Sequence, residues 1–348
     1  MLGIEGAVAA IDAAATLLGG RLGVDGPVLL RERAAILGIE AQGTTSAGGT
    51  CRLMRARDGR WVALNLARRA DVELLAAWMG HTWDGPVWEV VEEHLRRTDA
   101  EDAVERAQLV GVPAACAADP PSPVLMTPIP LERGTVEPVL VEPGGAGRAR
   151  PTPLVVDLSA LWAGPLCARL LGDVGARVVK VEFAGRPDGA RAGPPEFWRR
   201  LNAAKEDVVL DLSGADGRRA LTRLLDDADV VVTAARPRAI ANLGLDLDRR
   251  VRDLGLIWVS ITGYGFAGAW RDRVAFGDDA AVAGGLAVAA GGRDAPVFVG
   301  DAPADPLAGL HAAATASTCL AEAAGAFVDV SMRDTVGHAL TRAATTLP

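Results

Sequence analysis

The 348-residue chain has few of the residues that build metal centres and disulfide frameworks. Its four cysteines are scattered with no CxxC pair, and its four histidines show no ligand spacing. These absences predict a protein without a metal site and without a disulfide framework. They also suit a reducing compartment, so we expect the protein to be cytoplasmic.

Basic charge and long apolar runs are also lacking. The net charge is −8, which argues against general nucleic-acid binding because phosphate binding needs a basic face. No stretch of 18 or more apolar residues is free of charges, so we expect no membrane span. The N-terminus carries Glu5 and Asp12 and lacks the basic start of a signal peptide.

Lysine is nearly absent. Of the 36 basic residues only Lys180 and Lys205 are lysines, a bias that usually reflects genome composition. A lysine that persists under such a bias is expected where a compact ammonium, rather than a forked guanidinium, is needed. Chance placement is the alternative.

The first third of the chain, residues 1–116, has the pattern of a small α+β domain. An Ala-rich amphipathic helix comes first, and Asp58-Gly59 between two alternating runs predicts a β-hairpin. Residues 71–110 have helical spacing, and Thr98–Glu101 resembles a capping box. Nine prolines in residues 117–153 predict a linker.

Residues 154–348 alternate short β-branched runs with helical segments. This alternation predicts an α/β fold with a Rossmann-like, doubly wound parallel sheet. Ser159 is a candidate helix cap after the first strand. No GxGxxG motif follows that strand, so the sheet is expected to bind a ligand other than NAD or FAD. The predicted strands are Leu154–Leu158, Arg177–Glu182, Asp207–Leu212, Asp229–Thr233 and Leu256–Thr262.

Several segments could carry chemistry, and each also has a plain structural interpretation. The turn at 160–163 opens a helix and is a candidate anion site, as every such turn is. The Gly-rich loop 261–270 with Arg271 and Arg273 could approach a phosphate or be a simple turn. Asp301 and Asp305 could supply a nucleophile, although Pro306 favours a helix cap. His311 is expected to be a satisfied, at least half-buried histidine.

Taken in order, the segments resemble one family. The quoted stretches are VVDLSALWAGPLCARLLGDVGARVVKVE, NAAKEDVVLDL, ADVVVTAARP, ITGYGFAG and DAPADPLAGLHAA. As a set they resemble the class III CoA-transferases, a family that includes 2-methylacyl-CoA racemases and carnitine-related CoA-transferases. The resemblance covers 154–335, and a looser match in 41–116 resembles the family's small domain.

The resemblance implies a set of site residues. The nucleophilic aspartate falls on Asp305, whose spacing to Leu307 and Gly309 fits the family better than that of Asp301. Gly48 and Gly49 of the SAGG loop resemble a glycine-rich flap that shields the intermediate from water. The implied CoA-binding residues are Ala160, Leu161, Trp162, Ala163, Lys180, Phe183, Ala234, Ala235 and Arg273.

The implied activity is transfer of CoA between an acyl-CoA and a small carboxylic acid. Asp305 would form a mixed anhydride with the acyl group and then a thioester with CoA, which divides one difficult exchange into easier steps. Coenzyme A is therefore the expected cofactor, carried as acyl-CoA substrate without metal. A homodimer is the expected assembly, with a related subunit as an alternative.

Two departures keep other functions open. The small-domain-like part precedes the CoA-binding part, the reverse of the usual order, so a non-catalytic acyl-CoA-binding subunit is one alternative and an interlocked dimer cannot be assumed. No histidine occurs between His94 and His311, so the imidazole base of the racemases is missing. A racemase-like enzyme remains an alternative only if Asp278 or Asp279 replaces that base.

Overall fold

A computed structural model describes residues 2–119 and 139–346 of the chain. The first part contains six helices and a three-stranded antiparallel sheet in the order β1-β2-β3. Asp58-Gly59 joins β1 to β2, and the predicted hairpin is confirmed. Its elements are α1 (Gly3–Leu22), α2 (Gly26–Leu37), β1 (Cys51–Arg55), β2 (Trp61–Asn65), α3 (Arg69–Glu73), α4 (Leu75–Met79), α5 (Val87–Leu95), α6 (Ala100–Val110) and β3 (Ala114–Cys116).

The second part is built on a seven-stranded sheet with the order β4-β10-β9-β8-β5-β6-β7. Its elements are β4 (Leu140–Ala146), β5 (Leu154–Asp157), α7 (Ala163–Asp173), β6 (Arg177–Phe183), α8 (Pro195–Asn202), β7 (Glu206–Leu210), α9 (Ala215–Asp227), β8 (Val230–Thr233), α10 (Pro237–Leu243), α11 (Leu247–Leu254), β9 (Ile257–Thr262), α12 (Gly277–Ala283), α13 (Leu286–Gly291), α14 (Ala304–Ala321), β10 (Ala324–Ser331) and α15 (Met332–Thr346).

The six parallel strands of this sheet have the doubly wound topology. From β5 the chain runs outward through β6 and β7, returns to β8 on the other side, and continues through β9 to β10. This is the Rossmann order, with a switch point between β5 and β8 where ligands bind beyond the strands' carboxyl ends. The predicted α/β class with a smaller α+β region is confirmed.

Side chains that alternate along the strands separate two cores. One face of the sheet packs against α7 and α14, and the N-terminal helices α1 and α2 pack on α14, whereas the other face of the sheet packs against α9 and α11. The helices of the first 40 residues therefore share a core with the large sheet rather than with the β1-β2-β3 unit. Leu18 and Leu30 belong to the same buried cluster as Leu166 and Leu310.

Helix α1 is long and apolar enough to cross a bilayer by length and composition alone. In the fold it contacts α2, α13, α14 and α15, which is how the core helix of a globular domain packs. Its charged residues Asp12 and Arg21 lie outside the buried stripe of the helix.

Three local expectations differ from the structure. Ser159 is not a helix cap, because α7 begins only after Trp162 and the Ser159 hydroxyl donates to Asp157 instead. Thr98–Glu101 is not a capping box, since Asp99 occupies the cap position without a side-chain capping bond and Thr98 Oγ1 donates to the His94 carbonyl.

The third difference lies in the proline-rich linker. Residues 120–138 lie outside the described part, but 140–146 form β4, an antiparallel edge strand beside β10. Pro143 is tolerated there because an edge strand has one side without ladder partners. The proposed boundaries at 116 and 154 remain predictions.

Candidate active site

Asp305 lies in the first turn of α14, which starts at Ala304 after Pro303. The cap position of α14 is Pro303 and Asp305 lies inside the helix, so the capping role that Pro306 suggested does not apply. The backbone N–H of Gly277 donates to it instead. A Cβ on Gly277 would lie 2.4 Å from Asp305 Oδ2, so only glycine lets the start of α12 approach the carboxyl this closely.

Helix α14 carries Asp305 to the same edge of the sheet as the predicted CoA-binding turn. It packs along α7, and a Cβ on Gly309 would lie 2.8 Å from the Ala163 carbonyl oxygen. Gly309, one turn beyond Asp305, therefore allows the close approach of the two helices. The start of α14 and the 160–163 turn consequently lie side by side beyond the carboxyl ends of the strands.

Two further carboxyl groups accompany Asp305. Asp278 is buried in the first turn of α12 and accepts a hydrogen bond from the Ala302 N–H at 3.1 Å, while Asp301 is buried at 1 % exposure. Asp305 itself is half-buried. We call Asp278, Asp301 and Asp305 the acidic cluster. Ala302, inside it, has a φ of +44°, a strained value for alanine of the kind found at functional sites.

Burial and mutual repulsion hold protons on the acidic cluster. Loss of hydration, then repulsion from Asp278, raises the pKa of Asp305 to about 7. Loss of hydration, followed by repulsion from Asp301, raises the pKa of Asp278 to about 7. The pKa of Asp301 is raised by the same desolvation, against the attraction of Arg33. Near neutral pH the cluster therefore carries less negative charge than its three carboxyl groups would in water.

Arg33, on α2, is the cation at this cluster. Its Nη1 donates to Asp301 Oδ1 at 2.5 Å, and it opposes the rise in the pKa of Asp278 and Asp305. The guanidinium also lies 5.6 Å from the ring centroid of Trp162 and 6.0 Å from that of Phe197. The sequence offered no signal for this residue, because its partner is 268 positions away.

The SAGG loop is brought to the acidic cluster. The Ser46 side chain is buried, hydrogen-bonds the Asp278 carboxylate and accepts from the Cys51 N–H at 3.1 Å. Gly48 and Gly49 follow it at the surface, and a Cβ on Gly48 would lie 3.8 Å from Arg33 Nη2. The two glycines thus lie on the same side of the site as Arg33. This position is compatible with their predicted role as a flap.

The predicted CoA-binding turn is exposed at its tip and anchored at its base. Ala160 and Leu161 are exposed, whereas Trp162 and Ala163 are buried. Leu161 has a φ of +69°, unusual for leucine, and its N–H donates to Asp188 at 2.9 Å. The turn is therefore held in a strained conformation by the loop that follows β6.

Lys180 provides that anchoring from below. Its ammonium is 1 % exposed and donates to the Ser159 carbonyl at 2.6 Å and to Asp188 at 2.9 Å. Lys205 donates to Asp157, the Pro165 carbonyl and the Asn202 side chain, so all three of its N–H groups are used. Lys180 thus acts on the turn from inside the protein and does not present its charge to a ligand.

The remaining predicted CoA-binding residues are spread more widely. Ala234 is exposed and Ala235 half-buried in the loop after β8, whose neighbour β5 ends in the 160–163 turn. Phe183 is half-buried at the end of β6 and packs with the core beneath it. Arg273 pairs with Glu105 of α6 and stacks on Trp270 at 4.2 Å, so it links the two parts of the molecule.

A group of arginines near the strand ends escaped the sequence analysis. Arg236 follows β8, and loss of hydration together with the charges of Arg238, Arg68 and Arg186 lowers its pKa. Arg186 follows β6, so it and Arg236 lie at the carboxyl edge of the sheet, whereas Arg68 follows β2 and pairs with Asp71. The signal was available, because arginines that directly follow parallel strands are placed to meet anions bound there. We call these four residues the arginine group.

His311 is buried in α14, as expected, but it is not satisfied. Neither ring nitrogen has a partner among the described residues, and burial, then the charge of His338, lowers its pKa to about 3. It therefore stays neutral at physiological pH inside the core. Within 2–119 and 139–346, no group of three or more Cys, His, Asp or Glu residues is arranged to hold a metal ion.

The model of the family described as CoA-transferase family III matches residues 153–346, more than half of the chain. The chain belongs to CoA-transferase family III. The match contains the acidic cluster and every predicted CoA-binding residue, whereas Arg33, Gly48 and Gly49 precede it.

Curated members of CoA-transferase family III match over a comparable length. The chain is 30% identical over 195 residues to a succinyl-CoA–D-citramalate CoA-transferase of Chloroflexus aurantiacus, covering 52% of this chain and 48% of that protein. It is 34% identical over 167 residues to the beta subunit of a succinyl-CoA–L-malate CoA-transferase of the same organism, covering 45% and 41%. The chain thus spans about half the length of the curated relatives it matches.

A solved structure agrees on the fold. The hypothetical protein Rv3272 of Mycobacterium tuberculosis superposes with a TM-score of 0.51 at 27% identity, over 58% of each chain.

Proposed function

We propose that the chain transfers CoA between an acyl-CoA and a small carboxylic acid, with Asp305 as the covalent nucleophile. The observation that carries the proposal is the placement of Asp305. It lies half-buried at the start of α14 without capping the helix, beside the 160–163 turn and the SAGG loop. A carboxylate in that position has no structural task for its side chain.

The exchange proceeds in four balanced steps. Asp305 Oδ attacks the thioester carbonyl, the C–S bond breaks, and CoA thiolate leaves a mixed anhydride. The thiolate attacks the aspartyl carbonyl and expels the first acid as its carboxylate, which leaves an aspartyl-CoA thioester. The acceptor carboxylate then attacks the aspartyl carbonyl of that thioester, the C–S bond breaks, and CoA thiolate leaves a new mixed anhydride. Finally the thiolate takes the acceptor acyl group, and the Asp305 carboxylate is restored.

Surrounding groups support each step. The Gly277 N–H already donates to the Asp305 carboxyl and is placed to stabilise negative charge that develops on its oxygen. The Gly48-Gly49 end of the SAGG loop shields the anhydride from water. Of the arginine group, Arg186, Arg236 and Arg238 bind the phosphates of CoA beyond β6 and β8, where charge rather than base recognition is needed. Ala160 and Leu161, at the exposed tip of their turn, contact the pantetheine arm.

Mass measurement of the intact chain after incubation with a panel of acyl-CoAs tests the proposal. We expect an added mass of CoA, mapped to the peptide that contains Asp305 and converted by hydroxylamine to a hydroxamate. Asp305→Asn should give neither product, while Asp294→Asn, which changes an exposed carboxyl outside the acidic cluster, is the control and should still form the adduct. CoA binding without any adduct would contradict the transferase function.

A second candidate function rests on the position of Asp278. Its carboxyl lies close enough to Asp305 to raise the pKa of that residue, and its own pKa is raised to about 7 by burial and then by Asp301, so two bases meet at one site in place of the missing histidine. Racemisation at the α-carbon of a 2-methylacyl-CoA needs such a pair, with one base on each face. Uptake of deuterium at that carbon in D2O, lost in Asp278→Asn, would favour this function over CoA transfer.

The assembly is also a proposal. We propose a homodimer in the cytoplasm, with a related partner subunit as the alternative, because one relative from Chloroflexus aurantiacus is named a beta subunit. Light scattering gives the oligomeric state, and transfer activity of the purified single chain decides whether a partner is needed.

A further inference from the structure

Arg33 has features that its ion pair with Asp301 does not explain. The pair engages Nη1 alone, and no other hydrogen bond joins the guanidinium to the described residues. A guanidinium offers five donors, so most of its hydrogen-bonding capacity is unused. Asp301 Oδ2 is likewise buried without a partner. The side chain of Arg33 is 26% exposed, so a molecule from solvent can reach it.

The surroundings of Arg33 fix where such a molecule would lie. Trp162, from the CoA-binding turn, and Phe197, from α8, face the guanidinium, and Gly48 of the SAGG loop lies near its Nη2. Its charge also acts on Asp305 and Asp278. Arg33 therefore lies between the predicted thioester position, the flap and the nucleophile.

The chemistry of the exchange requires a cation at that point. An acceptor carboxylate must approach an aspartyl thioester that is flanked by Asp278 and Asp301, and like charges repel in a site with little water. A planar guanidinium is the side chain that pairs best with a carboxylate, through two parallel hydrogen bonds.

We propose that Arg33 binds the carboxylate of the acceptor acid and holds it against the aspartyl-CoA thioester, while Asp301 positions the guanidinium. The inference rests on the proposed transferase function. It assigns a substrate-binding residue to α2, outside the segment that the family model matches. A nucleophile that has no carboxylate would not be bound by Arg33.

Discharge of preformed aspartyl-CoA tests this role. The chain and its Arg33→Gln variant are loaded with the acyl-CoA that reacts best, freed of excess reagent, and treated with the corresponding acid, succinate where succinyl-CoA loads. Parallel samples receive hydroxylamine, an uncharged nucleophile. Loading uses long incubation, because microscopic reversibility also slows formation of the thioester when Arg33 is removed.

We expect Arg33→Gln to slow discharge by the acid roughly tenfold to a hundredfold, the loss of a hydrogen bond to a charged group, and to leave discharge by hydroxylamine unchanged. Arg31→Gln is the matched control, since Arg31 lies on the same helix and pairs with Asp12. It should alter neither rate. Equal slowing of both nucleophiles by Arg33→Gln, or no slowing of either, would overturn the inference.

Arg33→Lys keeps the positive charge and loses the paired donors of the guanidinium. If Arg33→Gln folds poorly, this variant allows the same comparison of discharge by the acid and by hydroxylamine. A selective but smaller loss with the acid is expected, and an equal loss with both nucleophiles overturns the role. Absence of any Asp305 adduct in the unaltered chain is a different result. It would remove the proposed transferase function itself, and the role of Arg33 with it.

Discussion

Two groups of buried charges lie at the same edge of the sheet and are built in opposite ways. Under the predicted CoA-binding turn, Asp157 and Asp188 meet Lys180 and Lys205, so two carboxylates face two ammonium groups. In the acidic cluster three carboxyl groups face Arg33 alone. The first group is balanced in charge and the second is not.

The pKa values of the two groups move in opposite directions. Burial opposes ionisation of Asp157, but Lys205 and Lys180 outweigh it and lower its pKa. Burial raises the pKa of Asp305 and Asp278 to about 7, and Arg33 does not offset it. A buried network with balanced charges indicates a structural role. In an unbalanced network ionisation lowers the stability of the fold, and such groups are typical of catalytic sites.

The largest expected effect separates activity from stability at Asp305. Asp305→Asn should reduce CoA transfer roughly a thousandfold or more, because the covalent route is lost. The same change removes a carboxylate that burial disfavours, so the free energy of unfolding at pH 7.5 should stay equal or rise. Transfer assays and urea titrations measure the two. A clear loss of stability would mean that Asp305 belongs with the structural group.

The converse is expected in the balanced group. Lys205→Met leaves Asp157 buried without its nearest ammonium and should lower the free energy of unfolding by about 3–5 kcal/mol. Arg177→Met, which breaks an exposed pair with Glu206, is the control and should change it little. Urea unfolding gives both values, and similar results for the two variants would contradict the structural assignment.

A third prediction concerns the pH dependence of the nucleophile. Only ionised Asp305 attacks, so the rate of adduct formation should rise with pH to a midpoint of about 7. Asp278→Asn removes the neighbouring like charge and should move that midpoint down by roughly one pH unit. Stopped reactions between pH 5 and 9, analysed by mass, measure it. An unchanged midpoint would show that the two carboxyl groups do not interact.

The smallest expected effect is on how the free energy of unfolding depends on pH. Carboxyls whose pKa is raised on folding contribute stability that is full below pH 3.8 and is lost as the pH rises through about 7. The free energy of unfolding of the Asp278→Asn/Asp305→Asn variant, relative to that of the unaltered chain, should therefore increase by about 1 kcal/mol or more as the pH rises from 5 to 8. Asp157 acts oppositely, since its stabilisation is lost as the pH falls through its lowered pKa. Urea titrations across that range test the difference, and parallel curves would contradict it.

The sequence predicted the strands well and the site only in pieces. Runs such as 230–233 and 257–262 are apolar and rich in β-branched residues. Parallel strands that are buried on both faces have such sequences, so these runs can be recognised without knowledge of their neighbours. The doubly wound order followed from their alternation with helices. Asp305 was reached through the resemblance, because its residues alone favoured a helix cap.

What the sequence did not disclose depends on distant contacts. Arg33 meets Asp301 only because α2 packs in the core of the large sheet, and no local pattern announces that packing. The α2 helix itself was overlooked, although Asp25 accepts from the Val28 N–H and Pro27 occupies its first turn. Ser159 had the composition of a cap, but the chain needs three more residues of turn before α7 begins.

The packing of α1 and α2 against α14 has a consequence for a divided chain. If the backbone were cut between Asp119 and Val139, each fragment would keep one half of a shared interior, and each would keep one member of the Arg33–Asp301 pair. The two pieces are then expected to recognise each other and to rebuild the site without a covalent link. Recovery of catalytic activity on mixing would show that the two fragments had associated, as in fragment complementation.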